Sequence, residues 1–364
     1  MIHTIIAAPA GVSRRAAPSL RLCFVGPMIG RHPGRVLTQE LVLADKFSTA
    51  EYHVTAVSSK LSRYARLVDV VGTLVHQRNS MDVICLSVYG GPSFVVEDIA
   101  SWLARFFHKR LVMVLHGGAL PEFMCSFPRW ACRVLARADH LVVPSDYLAR
   151  TARRMGFDVC VIPNLISLED YPFRLRGTLK PRLFWMRCFH PIWNPEMALR
   201  VVARVRRNFP DVKLVMGGSD IGHLEETRRL ASNLGVGDVV TFPGFLSADD
   251  KIAEFDRADV FLNTNRIDNM PVALVEAWAM GLPVVTTDVG GIRDLVTDGD
   301  TGIVVPDNDD RAMAEAVERL LSDELLARHF SLKGRQQSER SAWENVHPQW
   351  VELFESVMKR GFTS

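Results

Sequence analysis

The sequence predicts an α/β protein made of two doubly wound domains, each built on a parallel sheet. Short apolar strands alternate with amphipathic helices over residues 21–164, a pattern typical of a parallel sheet that is covered on both faces. The alternation stops over residues 165–181, which contain Pro172, Gly177 and Pro181, and then it starts again. Because 364 residues are too many for one comfortable core, two domains are expected.

The elements follow from apolar runs and from helical periodicity, taken in chain order. In the first half we predict strands at 21–26, 53–58, 82–88, 110–115, 140–143 and 158–162, with helices that include 36–47, 94–107 and 145–155. In the second half we predict strands at 182–187, 212–216, 238–242, 260–262, 283–286 and 302–305, with further helices at 194–208, 222–234, 247–257, 308–321 and 341–359. Ser145, which follows Pro144, is predicted to cap its helix.

Five segments result from this division. They are an extension over residues 1–20, a first domain over 21–164, a linker over 165–181, a second domain over 182–340, and a C-terminal helix over 341–364 that is predicted to pack back on the first domain. Ligands of doubly wound sheets bind beyond the carboxyl ends of the strands, so the cleft between the two domains is the expected site.

Charge is divided unevenly between the two halves. Residues 1–180 contain 22 Lys and Arg against 13 Asp and Glu, a balance of +9, whereas the remainder contains 21 against 28, a balance of −7. A basic half suits an anionic partner such as a phospholipid surface or a lipid diphosphate, although uneven surface charge without a function is an equally open explanation. Nucleic acid is not expected as a partner, because no basic run with interleaved aromatic residues occurs.

The cysteine pattern and the hydropathy exclude several classes of protein. Six scattered cysteines without a Cys-x-x-Cys pair predict reduced thiols in a cytoplasmic protein, and neither a disulfide framework nor a zinc site. No apolar run approaches the roughly 20 residues that span a bilayer. Residues 1–20 lack the order of charged and apolar parts that a signal peptide has.

The stretch from Asp259 to Gly291 contains a strand, a polar loop, a helix from Pro271 to Met280, a second strand and a glycine pair. This order predicts a parallel βαβ unit. The helix start at Met270, Pro271 and Val272 suits a phosphate, because its free amides and the positive end of the helix dipole attract anions.

Two acids of this stretch are candidate ligand contacts. Asp268 precedes the helix, and Glu276 lies inside it among apolar neighbours. A buried carboxylate is costly unless something donates a hydrogen bond to it, and a ligand hydroxyl is one such donor. A solvated acid beside a structural acid is the alternative.

The pattern Asp268, seven residues, Glu276, then Ala-Trp-Ala-Met-Gly-Leu-Pro-Val-Val resembles the nucleotide-sugar motif of retaining glycosyltransferases of family 4. In that family the two acids usually read Glu-x7-Glu, so Asp268 is a shortened form of the first. The resemblance covers residues 21–355 and is strongest in the second half. It implies the GT-B fold, in which two Rossmann-like domains face a cleft, the first on the acceptor side and the second binding the nucleotide sugar.

The glycine-bearing loop after the first strand reads Phe-Val-Gly-Pro-Met-Ile-Gly-Arg-His-Pro-Gly-Arg. Its glycines, which include Gly30 and Gly34, are spaced four apart and do not form Gly-x-Gly-x-x-Gly. The second strand is followed by no acid for a ribose hydroxyl, so a dinucleotide oxidoreductase is not favoured. The loop resembles the family's loop at the donor phosphates and acceptor; a flexible turn is the alternative.

His116 and Arg187 each lie at the carboxyl end of a predicted strand. In family 4 a His at the matching place touches the donor sugar, and Gly117 and Gly118 would allow a ligand to approach His116 closely. The family has Arg at the place of Arg187, followed about five residues later by a Lys, and both hold the diphosphate. No Lys follows here, since Asn194 stands in that region.

Other residues complete the expected site. Arg266 or His190 could replace the absent Lys, or each could simply be solvated. Gly217, Gly218 and Gly244 resemble family positions around the nucleotide, although turn glycines would look the same. The single Asp-x-Asp, at Asp307 to Asp309, is predicted to cap a helix and not to bind a metal.

The resemblance implies a metal-independent hexosyltransferase that moves a sugar from a nucleoside-diphosphate sugar to a saccharide or lipid-linked acceptor in bacterial polysaccharide or glycolipid synthesis. Glu276 would bind the ribose, Asp268 the donor sugar and Arg187 the diphosphate, with no cofactor besides the donor. The expected location is the cytoplasm, with peripheral contact at the inner face of the cell membrane. A nucleotide-sugar epimerase or hydrolase of the same fold and a non-catalytic partner in a polysaccharide assembly complex are the alternatives.

Overall fold

The computed structural model describes residues 20–50 and 52–359. Except for Leu20, the N-terminal extension expected over residues 1–20 lies outside the described residues. The described chain forms two six-stranded sheets in which every pair of neighbouring strands is parallel, as the alternating sequence pattern predicts.

The first sheet has the strand order β2-β1-β3-β4-β5-β6. Its strands are β1 (Arg21–Val25), β2 (His53–Val57), β3 (Val83–Val88), β4 (Arg110–Leu115), β5 (His140–Val143) and β6 (Val159–Val161). All six residues of β3 are buried, because side chains of alternating direction enter separate apolar layers on the two faces.

The second sheet has the order β12-β11-β10-β7-β8-β9. Its strands are β7 (Arg182–Met186), β8 (Lys213–Gly217), β9 (Val240–Gly244), β10 (Val260–Asn263), β11 (Val284–Thr287) and β12 (Ile303–Val305). Here too an apolar layer lies on each face, with Trp185 in one layer and Phe184 in the other.

Helices cover both faces of each sheet. In the first half they are α1 (Gln39–Thr49), α2 (Arg63–His76), α3 (Phe94–Phe106), α4 (Leu120–Ser126), α5 (Pro128–Leu135) and α6 (Asp146–Arg154). In the second half they are α7 (Pro195–Val205), α8 (Leu224–Asn233), α9 (Ala248–Arg257), α10 (Val272–Ala279), α11 (Ile292–Leu295), α12 (Asp310–Ser322), α13 (Glu324–Ser338) and α14 (Trp343–Lys359).

Helix α14 returns to the first domain, although it is the last helix in sequence. Val346, Trp350, Leu353 and Phe354 are buried in the same apolar layer as Leu22 and Phe24 of β1, and the rings of Phe354 and Phe47 are 5.5 Å apart. The first sheet is therefore covered on one face partly by residues that are distant in sequence.

Segment 165–181 connects the domains without a long helix or strand, and it packs firmly on the second domain. Arg176 is 1% exposed, and its guanidinium donates to the carbonyl oxygens of Phe255, Ala258 and Met280. These carbonyls belong to the ends of α9 and α10, where helices leave acceptors unpaired. Arg176 thus joins two helix ends beneath the central βαβ unit.

Some element predictions were wrong in their boundaries. The helix expected over 36–47 begins at Gln39, because Thr38 is still extended at φ −85° and ψ 152°. The two helix caps, which depend on local chemistry, were predicted correctly. Ser145 accepts a hydrogen bond from the Leu148 amide, and Asp309 accepts one from the Ala312 amide.

Candidate functional site

The carboxyl ends of the two sheets face each other across the cleft. Ser145, which follows β5, hydrogen-bonds the Asn269 side chain in the loop after β10. Ser219, which follows β8, donates to the Gly34 carbonyl in the loop after β1 over 2.9 Å. A Cβ on Gly118, after β4, would lie 2.9 Å from the Asp268 backbone, so only glycine fits this approach.

Both sheets reverse their strand order at the edge of this cleft. In the second sheet β10 lies beside β7, and the crossover connections leave this junction in opposite directions. A crevice forms at such a switch point beyond the carboxyl ends of the strands. Arg187 follows β7 and Asp268 follows β10, so the fold brings these two predicted site residues together there.

Arg187 and Asp268 form an ion pair. Arg187 Nη2 lies 2.5 Å from Asp268 Oδ2, and the two side chains are 19% and 13% exposed. The Asp268 carboxylate also accepts from the Asn265 amide group and the Asn269 backbone. The Arg187 guanidinium lies over the Trp193 ring, 5.0 Å from its centroid. From the sequence we expected Arg187 to bind the diphosphate and Asp268 to bind the donor sugar. In the structure, these two side chains contact each other.

Two polar atoms beside this pair are buried without a partner among the described residues. They are Arg187 Nε, a donor, and Asn265 Oδ1, an acceptor. Unpaired buried polar atoms are uncommon and costly in a folded protein. A ligand with both acidic oxygens and hydroxyl groups would satisfy both.

The predicted donor glycines surround the Arg187 backbone. The Arg187 amide donates to the Gly217 carbonyl, and the Gly218 amide donates to the Gly244 carbonyl over 2.7 Å. Gly218 has φ +149°, and a Cβ there would overlap the Arg187 carbonyl. Gly244 has φ +81°, a region that favours glycine. Gly30, in the other domain, is also tightly packed, since its Cβ would lie 2.6 Å from the Leu37 Cα.

Helix α10 begins at the cleft. Pro271 is its N-cap residue and Val272 its first residue, while the Met270 carbonyl accepts from the Asn164 side chain of the first domain over 3.0 Å. Gly281, at φ +79°, follows its C-terminal end as the sequence pattern predicts.

Glu276, inside α10, is 7% exposed and has two donors that the sequence did not indicate. Its Oε1 lies 2.6 Å from Lys251 Nζ and 2.7 Å from Tyr171 Oη. Lys251 comes from α9 and Tyr171 from the connecting segment. Burial, followed by the nearby Glu276 charge, raises the pKa of Tyr171, so its hydroxyl remains a donor.

His116 lies on the first-domain side of the cleft, in a buried polar cluster with Glu40 and Tyr89. Its Nε2 is 3.5 Å from Glu40 Oε1, and its ring stacks on Tyr89 at 5.2 Å. Tyr89 donates its hydroxyl to the same carboxylate. Burial lowers the pKa of His116 and Glu40 opposes that shift. His116 Nε2 and Glu40 Oε2 have no hydrogen-bond partner among the described residues.

A cavity of about 430 Å³ opens beside His116. It is lined by Tyr89, Gly117, Glu122, Phe123 and Phe127, among others. Its lining combines aromatic surface with polar groups, which suits an amphipathic ligand.

Of the two residues proposed to replace the absent Lys, Arg266 is exposed and His190 has a local contact. His190 Nδ1 accepts from the Ile192 amide. Asn194 is fully buried, and its amide group donates to Asn308 over 3.3 Å. Lys251 could not be found by searching near Arg187, because it is contributed by a helix more than sixty residues later. Its only sequence signal is one cation within an otherwise acidic helix start.

Within residues 20–50 and 52–359, no three His, Cys, Asp or Glu side chains are grouped so that they could hold a metal ion. In the same part of the chain, no helix is both long and apolar enough to cross a membrane.

Comparison with known proteins gives a family match in the second domain and relatives that align with more of the chain. Residues 181–337 match the model of the family described as glycosyl transferases group 1. The chain is 35% identical over 249 residues, 62% of its length and 65% of the relative's, to the GDP-mannose-dependent alpha-(1-6)-phosphatidylinositol monomannoside mannosyltransferase of Mycolicibacterium smegmatis. It is 27% identical over 318 residues, 84% of its length and 79% of the relative's, to the phosphatidyl-myo-inositol mannosyltransferase of Mycobacterium leprae.

Among solved structures, HepE from Anabaena in complex with UDP-glucose superimposes with a TM-score of 0.74 at 20% identity, over 93% of this chain and 100% of the other. At that identity the likeness shows the fold, which is GT-B. The chain spans 24% of one curated relative, an exopolysaccharide phosphotransferase of Streptomyces coelicolor, and 40% of another, a D-inositol 3-phosphate glycosyltransferase of Corynebacterium urealyticum.

Proposed function

We propose that this chain, whose residues 181–337 match the model of the glycosyl transferases group 1 family, is a retaining hexosyltransferase. The donor is a nucleoside-diphosphate sugar and the acceptor is a saccharide or a lipid-linked saccharide. The name of one relative includes GDP-mannose and phosphatidylinositol monomannoside, and one structural neighbour holds UDP-glucose. Both support a hexose carried by a nucleoside diphosphate.

The observation that carries this proposal is the set of unpaired buried atoms on the two sides of the cleft. Arg187 Nε and Asn265 Oδ1 belong to the second domain, and His116 Nε2 and Glu40 Oε2 to the first. A nucleotide sugar supplies phosphate oxygens for the arginine and hydroxyl groups for the acceptors. A ligand that satisfies both sides would lie between the domains.

The diphosphate would lie between Arg187 and the amino end of α10, at Met270, Pro271 and Val272. Cations and helix amides stabilise negative charge as it develops on the leaving diphosphate. Glu276 would accept from the ribose, with its Oε1 fixed by Lys251 and Tyr171. Asp268 and His116 would contact the donor sugar.

A thermal-shift screen against nucleoside diphosphates and nucleotide sugars tests the proposal. A ligand at a hundred times its Kd adds about 2.7 kcal/mol to the stability of the folded state, so the correct donor should raise Tm clearly. Arg187→Ala should remove the shift given by the nucleoside diphosphate, and Arg187→Lys should restore part of it, because Lys lacks the bidentate fork. A full shift for Arg187→Ala would contradict the placement of the diphosphate.

Turnover with a candidate acceptor then separates transfer from the alternatives. An epimerase or hydrolase would convert the donor when no acceptor is present, and a non-catalytic partner would bind a nucleotide without turnover. We propose that no metal is required, so the rate should persist in excess chelator. Loss of activity in chelator, restored by manganese or magnesium, would contradict this. The anomeric configuration of the product, measured by NMR, tests retention.

A further inference from the structure

Helix α3 exposes an apolar stripe on its outer face. Val95, Trp102 and Phe106 are 45%, 52% and 61% exposed, and Ile99 lies half-buried between them. Spacings of four, three and four residues put the four side chains on one face of a helix. The rings of Trp102 and Phe106 stack at 5.2 Å with an angle of 15°. Exposed apolar patches of this kind mark interaction sites.

A basic groove lies beside the stripe, between α3 and α5. Its volume is about 450 Å³, and it is lined by Val95, Ile99 and Trp130 together with Asp98, Arg129 and Arg133. We call the stripe and this groove together the α3–α5 surface.

The charges of the α3–α5 surface leave a positive excess. Arg133 and Arg137 both pair with Asp98, at 2.9 and 2.5 Å, whereas Arg129 is exposed and has no acceptor among the described residues. Three arginines therefore face one carboxylate. An anionic partner would satisfy Arg129 and the outward edge of Arg133.

Aromatic packing connects the α3–α5 surface with the cleft. The Trp130 ring is 6.0 Å from Phe123 and 6.3 Å from Phe127. Phe123 and Phe127 also line the cavity beside His116. An apolar path thus leads from the exposed groove to the first-domain side of the candidate site.

We propose that the α3–α5 surface binds an anionic phospholipid bilayer. Trp102 and Phe106 lie at the depth of the headgroups, where aromatic side chains are favoured, and Arg129 and Arg133 contact lipid phosphates. Apolar and cationic groups together match a bilayer surface, which offers acyl chains below a layer of anions. The bilayer contact does not depend on the proposed glycosyl transfer. A second role of this surface, in which it guides a lipid-linked acceptor towards the cavity beside His116, rests on that proposed function.

Sedimentation of the full chain with vesicles tests the inference. Binding is expected to vesicles of phosphatidylcholine mixed equally with phosphatidylglycerol, to fall with rising salt, and to be much weaker with phosphatidylcholine alone. The double variant Trp102→Ser/Phe106→Ser should bind these vesicles at least roughly tenfold more weakly, and Arg129→Gln should bind them about fivefold more weakly. Leu325→Ser is the control, because Leu325 is 80% exposed in the second domain and should have no effect.

The Tm rise with a nucleoside diphosphate, measured on the same samples, shows whether each variant is folded and keeps its donor site. The inference is overturned if the parent chain shows this Tm rise and does not bind anionic vesicles, or if a double variant that keeps the Tm rise binds as the parent chain does. It is also overturned if the parent chain forms a concentration-dependent dimer that the double variant lacks, because the surface then binds a second copy. Vesicle binding without any nucleotide response would instead contradict the proposed function.

Discussion

At the scale of single residues, the contact of Lys251 with Glu276 is the one that the sequence did not predict. The family pattern predicts a Lys shortly after Arg187. The residue in that region, Asn194, is buried, and its side chain donates to Asn308. Lys251 reaches Glu276 from another helix, and such a contact depends on how α9 packs beside α10. One-dimensional spacing contains no information about that packing.

Lys251→Met should weaken the binding of a nucleoside diphosphate. The Glu276 carboxylate would keep only the Tyr171 hydroxyl, and losing a charged hydrogen-bond partner costs about 1.5–3 kcal/mol, or roughly ten- to a hundredfold in affinity. Calorimetry measures the change. Lys180→Met is the control, since Lys180 is exposed in the connecting segment; equal affinity losses in the two variants would argue against a specific role for Lys251.

Substitutions of Glu276 and Asp268, the two acids of the central stretch, should affect ligand binding and turnover differently. Glu276→Gln should weaken both the nucleotide sugar and the free nucleoside diphosphate by roughly ten- to a hundredfold. Asp268→Asn removes the charge partner of Arg187 and leaves that guanidinium available to the diphosphate, so the free nucleotide should bind nearly as before while kcat/KM for the full donor falls. Calorimetry and initial rates test this, and a similar loss of free-nucleotide affinity in both variants would refute the division of roles.

Glu97 should make stability depend on pH. Burial raises its pKa from 4.5 to about 8, so the folded protein keeps it neutral where the unfolded chain has already ionised. The stability that this neutral carboxyl contributes is complete below pH 4.5 and is lost as pH rises towards 8. Glu97→Gln should therefore match the parent chain at pH 4.5 and be more stable at pH 8, by at most roughly 5 kcal/mol.

Urea unfolding at both pH values measures the difference for Glu97→Gln. Glu352→Gln, at an exposed position of α14, is the control and should show no pH-dependent gain. If the free energy of unfolding of Glu97→Gln differs from that of the parent chain by the same amount at both pH values, the Glu97 carboxyl is not neutral in the folded protein.

At the scale of elements, the contact between α10 and α13 depends on Gly334. A Cβ at Gly334 would overlap the Trp278 ring, and this ring is fixed by a hydrogen bond from Nε1 to the Thr301 carbonyl over 2.9 Å. Gly334→Ala should cost about 1–3 kcal/mol through overpacking. Gly72→Ala, in α2, meets no atom within 4 Å and should stabilise by about 0.5–1 kcal/mol. Denaturant unfolding of the two variants should therefore give shifts of opposite sign.

The sequence predicted the elements best where a local signal determines them. The βαβ unit around Glu276 has its Pro271 and Gly281 at the expected ends, and the Ser145 and Asp309 caps form as their residue types favour. The pairing of Arg187 with Asp268 could not be predicted in the same way, because it arises from the neighbouring positions of β7 and β10 in a sheet whose strand order the sequence pattern does not specify.

At the scale of the whole molecule, the cores of the two domains should respond separately to mutation. Phe354→Ala removes a buried ring from the first-domain layer and Phe330→Ala removes one from the second, each at a cost of about 3–5 kcal/mol. Hydrogen exchange should accelerate in β3 for the first variant and in β10 for the second. Equal acceleration of both strands by either substitution would mean that the domains unfold as one unit.

Helix α14 also affects the order in which the protein can complete its fold during synthesis. The strands of the first sheet, up to Val161, leave the ribosome long before Trp343 to Lys359, which cover one of its faces. At about 5–20 residues per second this interval lasts on the order of ten to forty seconds. The nascent chain therefore displays an apolar layer around Leu22, Phe24 and Phe47 that is covered only in part, by α1, throughout that time, and we expect it to be a client of chaperones that bind such surfaces.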